Sequence, residues 1–181
     1  MPYYPGGDLF TVLEEQRNPH PATVARWMLD VTLAVEYLHG RCVAHNDIKP
    51  DNVFLDGSGR AHLGDLGLVL ELTPESRTVL ASRLRMGTSI FWPPERFQTG
   101  PDHRVDPFKG DIYAIGVTLW LTMSKDLAGE NLDYQARMKT ATGLRMSRDL
   151  RSALEKLLEP DPAKRPTASE AVELLRLASV D

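Results

Sequence analysis

Cysteine occurs once in the 181 residues, at Cys42. A single thiol excludes an internal disulfide and a cysteine-based zinc site, and it fits a reducing compartment. Long apolar runs are also missing. The longest, "IYAIGVTLWLTM" from Ile112 to Met123, is too short to span a bilayer and reads as a buried core helix. Excess positive charge is missing too. The net charge of −4 argues against nucleic acid or an anionic membrane as a partner. No basic-then-apolar leader opens the sequence, so an intracellular, cytoplasmic location is expected. Internal repeats and low-complexity tracts are absent. With 42% hydrophobic and 25% charged residues, the composition is that of one soluble globular domain.

What is present is mostly helical pattern. "GDLFTVLEEQ" reads as a short helix with Asp8 as its N-cap. "PATVARWMLDVTLAVEYLHGR" is a strong helix. Val24, Trp27, Met28, Val31, Val35 and Leu38 recur at helical spacing between Pro21 and Gly40. "NVFLDGSGRAHLGD" predicts two short strands around an Asp-Gly-Ser-Gly turn. Residues 66–94 have no clear period and read as a long functional loop. Helices follow near 93–98, 108–123 and 131–140, then in "SRDLRSALEKLLE". The last, "TASEAVELLRLA", opens with a capping box of Thr167 and Glu170. The expected fold is mainly α with one small hairpin. The opening "MPYYPGGDLF" is irregular, because Pro2, Pro5, Gly6 and Gly7 forbid regular structure.

The segment "HNDIKPDN", residues 45–52, crowds a His, two Asp, two Asn and a Lys between the long helix and the hairpin. A hairpin returns the chain to its start, so Asp65 can come back beside Asn52. A carboxylate and an amide oxygen facing one point suit Mg²⁺, which takes one or two protein oxygens and completes its shell with phosphates. Asp47 is then free to accept a proton from a hydroxyl, and Lys49 can sit near a transferring phosphoryl group.

These residues resemble the catalytic loop of eukaryotic protein kinases, H-R-D-x-K-x-x-N. "GDLG" resembles the D-F-G segment, with Leu66 for Phe. "GTSIFWPPE" resembles the end of the activation segment, "DIYAIGV" the start of the central buried helix, and "DPAKRPTASEA" the segment before the last helix. The five motifs come in family order. The resemblance implies a Ser/Thr protein kinase and a kinase-like helical C-lobe over residues 1–181, with the N-lobe absent from this stretch. It implies ATP and Mg²⁺ as cofactors and a protein with a Ser or Thr acceptor as substrate. Asp47 would be the catalytic base and Lys49 the γ-phosphate contact; Asn52 and Asp65 would hold Mg²⁺. Lys49 together with Thr88 is the serine/threonine pattern. Glu95 and Arg165 would form a buried ion pair. His45, Leu66 and Asp111 would stack and tie the active loop to the central helix. Phe54 would floor the adenine, Tyr3 would offer hinge backbone to it, Asp8 would reach the ribose, and Met1 would fall at the gatekeeper position.

Two departures carry consequences. Asn46 stands where most of the family has an Arg that pairs with a phosphorylated activation loop. Activity independent of such a phosphate is therefore expected. Arg77, Arg83 and Arg85 read as solvated loop charges. The glycine-rich loop, the V-A-I-K lysine and its Glu partner are also missing from these residues, and no G-x-G-x-x-G occurs. The stretch by itself is expected to be inactive and to need an N-lobe or a regulatory partner. One rival reading is a small-molecule kinase of the choline or aminoglycoside type. That type shares H-x-D-x-x-x-x-N but lacks the P-P-E and R-P-T segments. A pseudokinase or scaffold lobe is the other rival: the missing lobe favours it, and the full set Asp47, Lys49, Asn52 and Asp65 opposes it. The three tryptophans and Cys42 read as packing residues, and His20, His39, His62 and His103 have no metal-ligand spacing.

Overall fold

The computed structural model describes residues 3–15, 18–84, 86–125, 130–141 and 144–180. Among the described residues six helices carry the fold: α1 (Leu9–Glu14), α2 (Pro21–His39), α3 (Pro107–Ser124), α4 (Tyr134–Thr140), α5 (Arg148–Leu157) and α6 (Ala168–Ala178). Six strands of two or three residues pair antiparallel as β1 (Val43–Ala44) with β4 (Leu70–Glu71), β2 (Val53–Leu55) with β3 (Ala61–Leu63), and β5 (Val79–Leu80) with β6 (Arg104–Val105). The mainly helical expectation stands. The expected small hairpin, β2–β3, stands too, and two further long-range ladders pin the segment that looked like one long loop. Two-residue strands carry no readable alternation, and their partners lie far off in sequence.

α3 is the axis of the core. Every residue from Asp111 to Thr122 is buried, so this helix is enclosed on all sides. α2 packs against α3 and α6, and α5 packs against α3 and α6. The buried hydroxyls of Thr32 and Thr122 donate to the carbonyls of Met28 and Thr118, which satisfies them within their own helices. Gly116 allows the close approach of the α5 end. A Cβ there would meet Leu158 at 2.9 Å and Leu157 Cβ at 3.0 Å. The two caps expected from the sequence, at Asp8 and at Thr167 with Glu170, are present, and Asp106 caps α3 as well. Asp8 accepts from Thr11 N at 2.7 Å, Asp106 accepts from Phe108 N at 2.9 Å, and Thr167 and Glu170 complete the capping box of α6.

The β2–β3 hairpin is fixed to α2. Asp30 accepts both guanidinium bonds of Arg60, at 2.6 and 2.9 Å, and also Ala61 N at 3.1 Å. Trp27 Nε1 donates to Gly59 O at 3.0 Å. At the hairpin tip, Asp56 accepts from Ser58 N, Ser58 Oγ and Arg60 N, and its carboxylate faces His62. The His62 contact, then these donors, hold its pKa well below the usual carboxylate range. The irregular opening is pinned as well. Gly6 N donates to Leu55 O at 3.0 Å and Leu55 N donates to Gly7 O at 2.8 Å, so it runs along β2 as an extra edge. Gly6 is required there, because a Cβ would lie 2.7 Å from Leu55 O. Met1 lies outside the described residues.

Candidate active site

The loop between β1 and β2 is shaped from beneath by Asp111. One Asp111 oxygen accepts from His45 N at 2.8 Å and the other from Asn46 N at 2.7 Å. His39 Nε2 lies 2.9 Å from the same carboxylate. Immediately after these two amides Asn46 adopts φ 67°, a left-handed conformation that Asn tolerates better than most residues, and this directs the chain on to Asp47. His45 is fully buried. Its Nδ1 accepts from Asp47 N at 3.3 Å, which leaves Nε2–H to donate to Gly64 O at 3.0 Å. A neutral imidazole thus ties the loop to the residue just before Asp65.

Above this base four side chains meet. Asn52 Nδ2 donates to Asp47 O at 2.8 Å and to Asp47 Oδ2 at 3.1 Å. Lys49 Nζ lies 3.0 Å from Asp47 Oδ2 and donates to Thr88 Oγ1 at 3.1 Å. Thr88 N donates to Asp47 Oδ1 at 3.4 Å. The neighbouring Gly87 has φ 93°, and a Cβ on it would lie 3.0 Å from Asp47 Oδ1. The 3₁₀ turn Pro50–Asn52 supplies the curvature that returns Asn52 to Asp47.

The hairpin brings the chain back as expected. Val53 pairs with Leu63, and Gly64 N donates to Asn52 O at 2.9 Å, so Asp65 follows one residue beyond that bond. Asp65 is exposed, with φ 57°, and its Oδ1 accepts from Gly67 N at 3.1 Å. Its partner oxygens for a metal would be its own carboxylate and the amide oxygen of Asn52, since the Asn52 nitrogen is committed to Asp47. An all-oxygen pair of this kind fits Mg²⁺ completed by phosphates.

The remaining expected site residues fall as follows. Glu95 and Arg165 form a bidentate pair at 2.9 and 3.1 Å, with both residues buried. Asp8 lies beside Phe54 across an isolated bridge, with one oxygen spent on the α1 cap. Phe54 has one face covered by Tyr4, stacked at 5.3 Å between ring centroids. Tyr3 is 89% exposed. His45 and Asp111 meet in the buried base of the loop. Leu66 is 57% exposed whereas the other two are buried, because the tight turn at Asp65 presents it to solvent. Cys42, expected buried, is half-buried. Arg83 is exposed and Arg77 lies over the Phe108 ring; Arg85 falls outside the described residues.

Sequence reasoning missed Arg96. Its guanidinium donates to Asn46 Oδ1 at 3.2 Å, to Met86 O at 2.8 Å and to Leu84 O, and it lies 4.1 Å from the Trp92 ring centroid. The signal was present in Asn46: a missing cation invites a search for one from another element.

The profile described as "Protein kinase domain" matches residues 1–174. Serine/threonine-protein kinase Nek1 of Mus musculus is 30% identical over 183 residues, covering 96% of this chain and 14% of that protein. Serine/threonine-protein kinase CHK1 of Saccharomyces cerevisiae is 29% identical, covering 90% of this chain and 33% of that protein. Myotonin-protein kinase of Mus musculus is 36% identical over 121 residues, covering 65% of this chain and 19% of that protein. The chain thus spans a third or less of the length of these curated relatives. No helix among the described residues is long and apolar enough to cross a membrane. With nearly its whole length matched by one family profile, and with a helical lobe built around a buried Asp that organises the loop, the chain belongs to the protein kinase domain family, of the eukaryotic Ser/Thr type.

Proposed function

We propose that this chain provides the acceptor-side half of a site that transfers a phosphoryl group from ATP to Ser or Thr of a protein substrate. The observation that carries this reading is the meeting of Asp47, Lys49, Asn52 and Thr88 within hydrogen-bond distance, with Asp65 returned to their side. Asp47 would accept the proton of the attacking hydroxyl through the carboxylate that Asn52 and Lys49 hold in place. Lys49, already bridging Asp47 and Thr88, would face the transferred group. Asn52 and Asp65 would hold Mg²⁺, which neutralises phosphate charge when bound. Phe54 and the backbone near Tyr3 would receive the adenine, and Asp8 would reach the ribose.

These residues include no glycine-rich loop and no V-A-I-K lysine, so turnover requires a covering lobe from elsewhere. Each missing electrostatic donor costs roughly 100–1,000-fold in rate. Residues 1–181 alone are therefore expected to transfer almost nothing.

The test uses the chain joined to a covering lobe that supplies a glycine-rich loop and a phosphate-binding lysine, with labelled ATP, Mg²⁺ and a generic Ser/Thr peptide, followed by phosphoamino-acid analysis. Transfer to Ser or Thr, lowered about 100- to 10,000-fold in Asp47→Asn, is the expected result. Transfer to choline or an aminoglycoside instead, or an unchanged rate in Asp47→Asn, would refute it.

A further inference from the structure

We infer that Arg96 is a built-in cation that clamps the activation segment onto the catalytic loop without any phosphate. This rests on the reading that Asp47 and Thr88 belong to a phosphotransfer site. Arg96 sits on the 3₁₀ turn Pro94–Phe97, next to the buried Glu95. From there its guanidinium reaches two segments at once. On one side it donates to Asn46 Oδ1, the side chain immediately before Asp47. On the other it donates to Leu84 O and Met86 O, immediately before Gly87 and Thr88. One planar, delocalised group can satisfy three acceptors this way where an ammonium could not hold the same directions. The Trp92 ring, 4.1 Å away, supports one face of it.

The partners are neutral: one amide oxygen and two carbonyls. Burial pushes the pKa of Arg96 down to about 10, against the pull of Asp111 and Asp47. The guanidinium therefore stays charged at neutral pH. The carboxylates balance part of the charge, and the carbonyl dipoles hold its direction. A phosphate is not needed to bridge the two segments, because Arg96 already does so.

The consequence is local. Thr88 N reaches Asp47 Oδ1 at 3.4 Å, and Lys49 bridges the same pair. Both contacts require residues 86–88 to lie against the loop of residues 45–47. Arg96 touches neither a reacting atom nor a site proposed for nucleotide, so it is a positioning residue.

The chain joined to its covering lobe tests this with Arg96→Gln and Arg96→Lys. After phosphatase treatment the unaltered protein keeps its rate within about twofold. Arg96→Gln loses about 10- to 100-fold in kcat, as expected of a site misplaced by an ångström, while KM for ATP moves less than about twofold. Arg96→Lys recovers only part of the loss. Amide exchange supplies a reading independent of activity. In Arg96→Gln, exchange at Gly87 and Thr88 rises at least about tenfold while Ile115, in the core helix, stays protected. An unaltered protein with no phosphotransfer activity would overturn the proposed function, and the clamp would still stand or fall on the exchange of Thr88. Unchanged exchange there, or loss of activity on dephosphorylation, would overturn the inference.

Discussion

Removing Glu95 tests how far the buried ion pair holds the activation segment to the helical core. The Arg165 side chain has no solvent exposure and Glu95 is 6% exposed, so neither charge can fall back on water. The guanidinium also donates to the carbonyls of Lys109, Glu159 and Pro160. In Glu95→Ala those three bonds survive but the charge loses its counter-ion. Breaking such a pair from one side costs about 3–5 kcal/mol. For a domain of this size each kcal/mol lowers Tm by about 2–4 °C, so a fall of about 6–20 °C is expected. Thermal unfolding followed by circular dichroism measures this. A fall under about 3 °C would show that the guanidinium left behind in Glu95→Ala is not a stranded buried charge.

Other expectations follow from packing and caps. Gly116→Ala pushes a methyl group to within 3.0 Å of Leu157 and Leu158, and is expected to cost about 1–3 kcal/mol in urea unfolding. In Gly110→Ala the new Cβ meets only Pro93 Cγ, at 3.9 Å, so this change is expected to be tolerated. Thr167→Ala opens the capping box of α6 and should cost about 1 kcal/mol by the same measurement. The Thr167 backbone N–H, then its hydroxyl, lower the pKa of Glu170 in the folded state. The stability this lends is present above the unfolded carboxylate value and is lost as pH falls through the lower folded value. Glu170→Gln should therefore flatten the acid limb of the urea midpoint below about pH 4.5, and an unchanged limb would count against the box.

Local signals were legible and distant ones were not. The capping box, the Asp8 cap and the Asp-Gly-Ser-Gly turn each involve residues within a few positions, so their geometry is encoded where it is read. The unbroken apolar run of α3 announced its burial. The hairpin was enough to return Asp65, because its register follows from the turn. In contrast, the pairing of Val43 with Glu71 joins two-residue strands whose alternation is too short to detect. The opening Pro-Gly run looked unstructured because its hydrogen bonds go to Leu55, which no local pattern reveals. Leu66 was expected in a stack because its motif position implies one. Its 57% exposure follows from the turn at Asp65, where a left-handed residue is held by Gly67. Arg96 was missed because its three acceptors lie on two segments distant in sequence.

The same logic explains why the site is so closely tied to the core. Asp111 is a carboxylate inside the most buried helix, and such a group is tolerated only when donors surround it. It finds them in His45 N, Asn46 N and the His39 ring. The chain turns just after the second of these amides, where Asn46 has a positive φ. A left-handed residue costs about 1–3 kcal/mol, which the bonds to Asp111 offset. The turn is also what starts Asp47 back toward Asn52 and Lys49. The buried carboxylate and the candidate base are therefore linked through one residue, Asn46, whose amide meets Asp111 and whose φ directs Asp47. A change in α3 that moves Asp111 acts on stability and on the placement of Asp47 together, whereas a change at Leu66, which is exposed and outside this network, has no such route to the site.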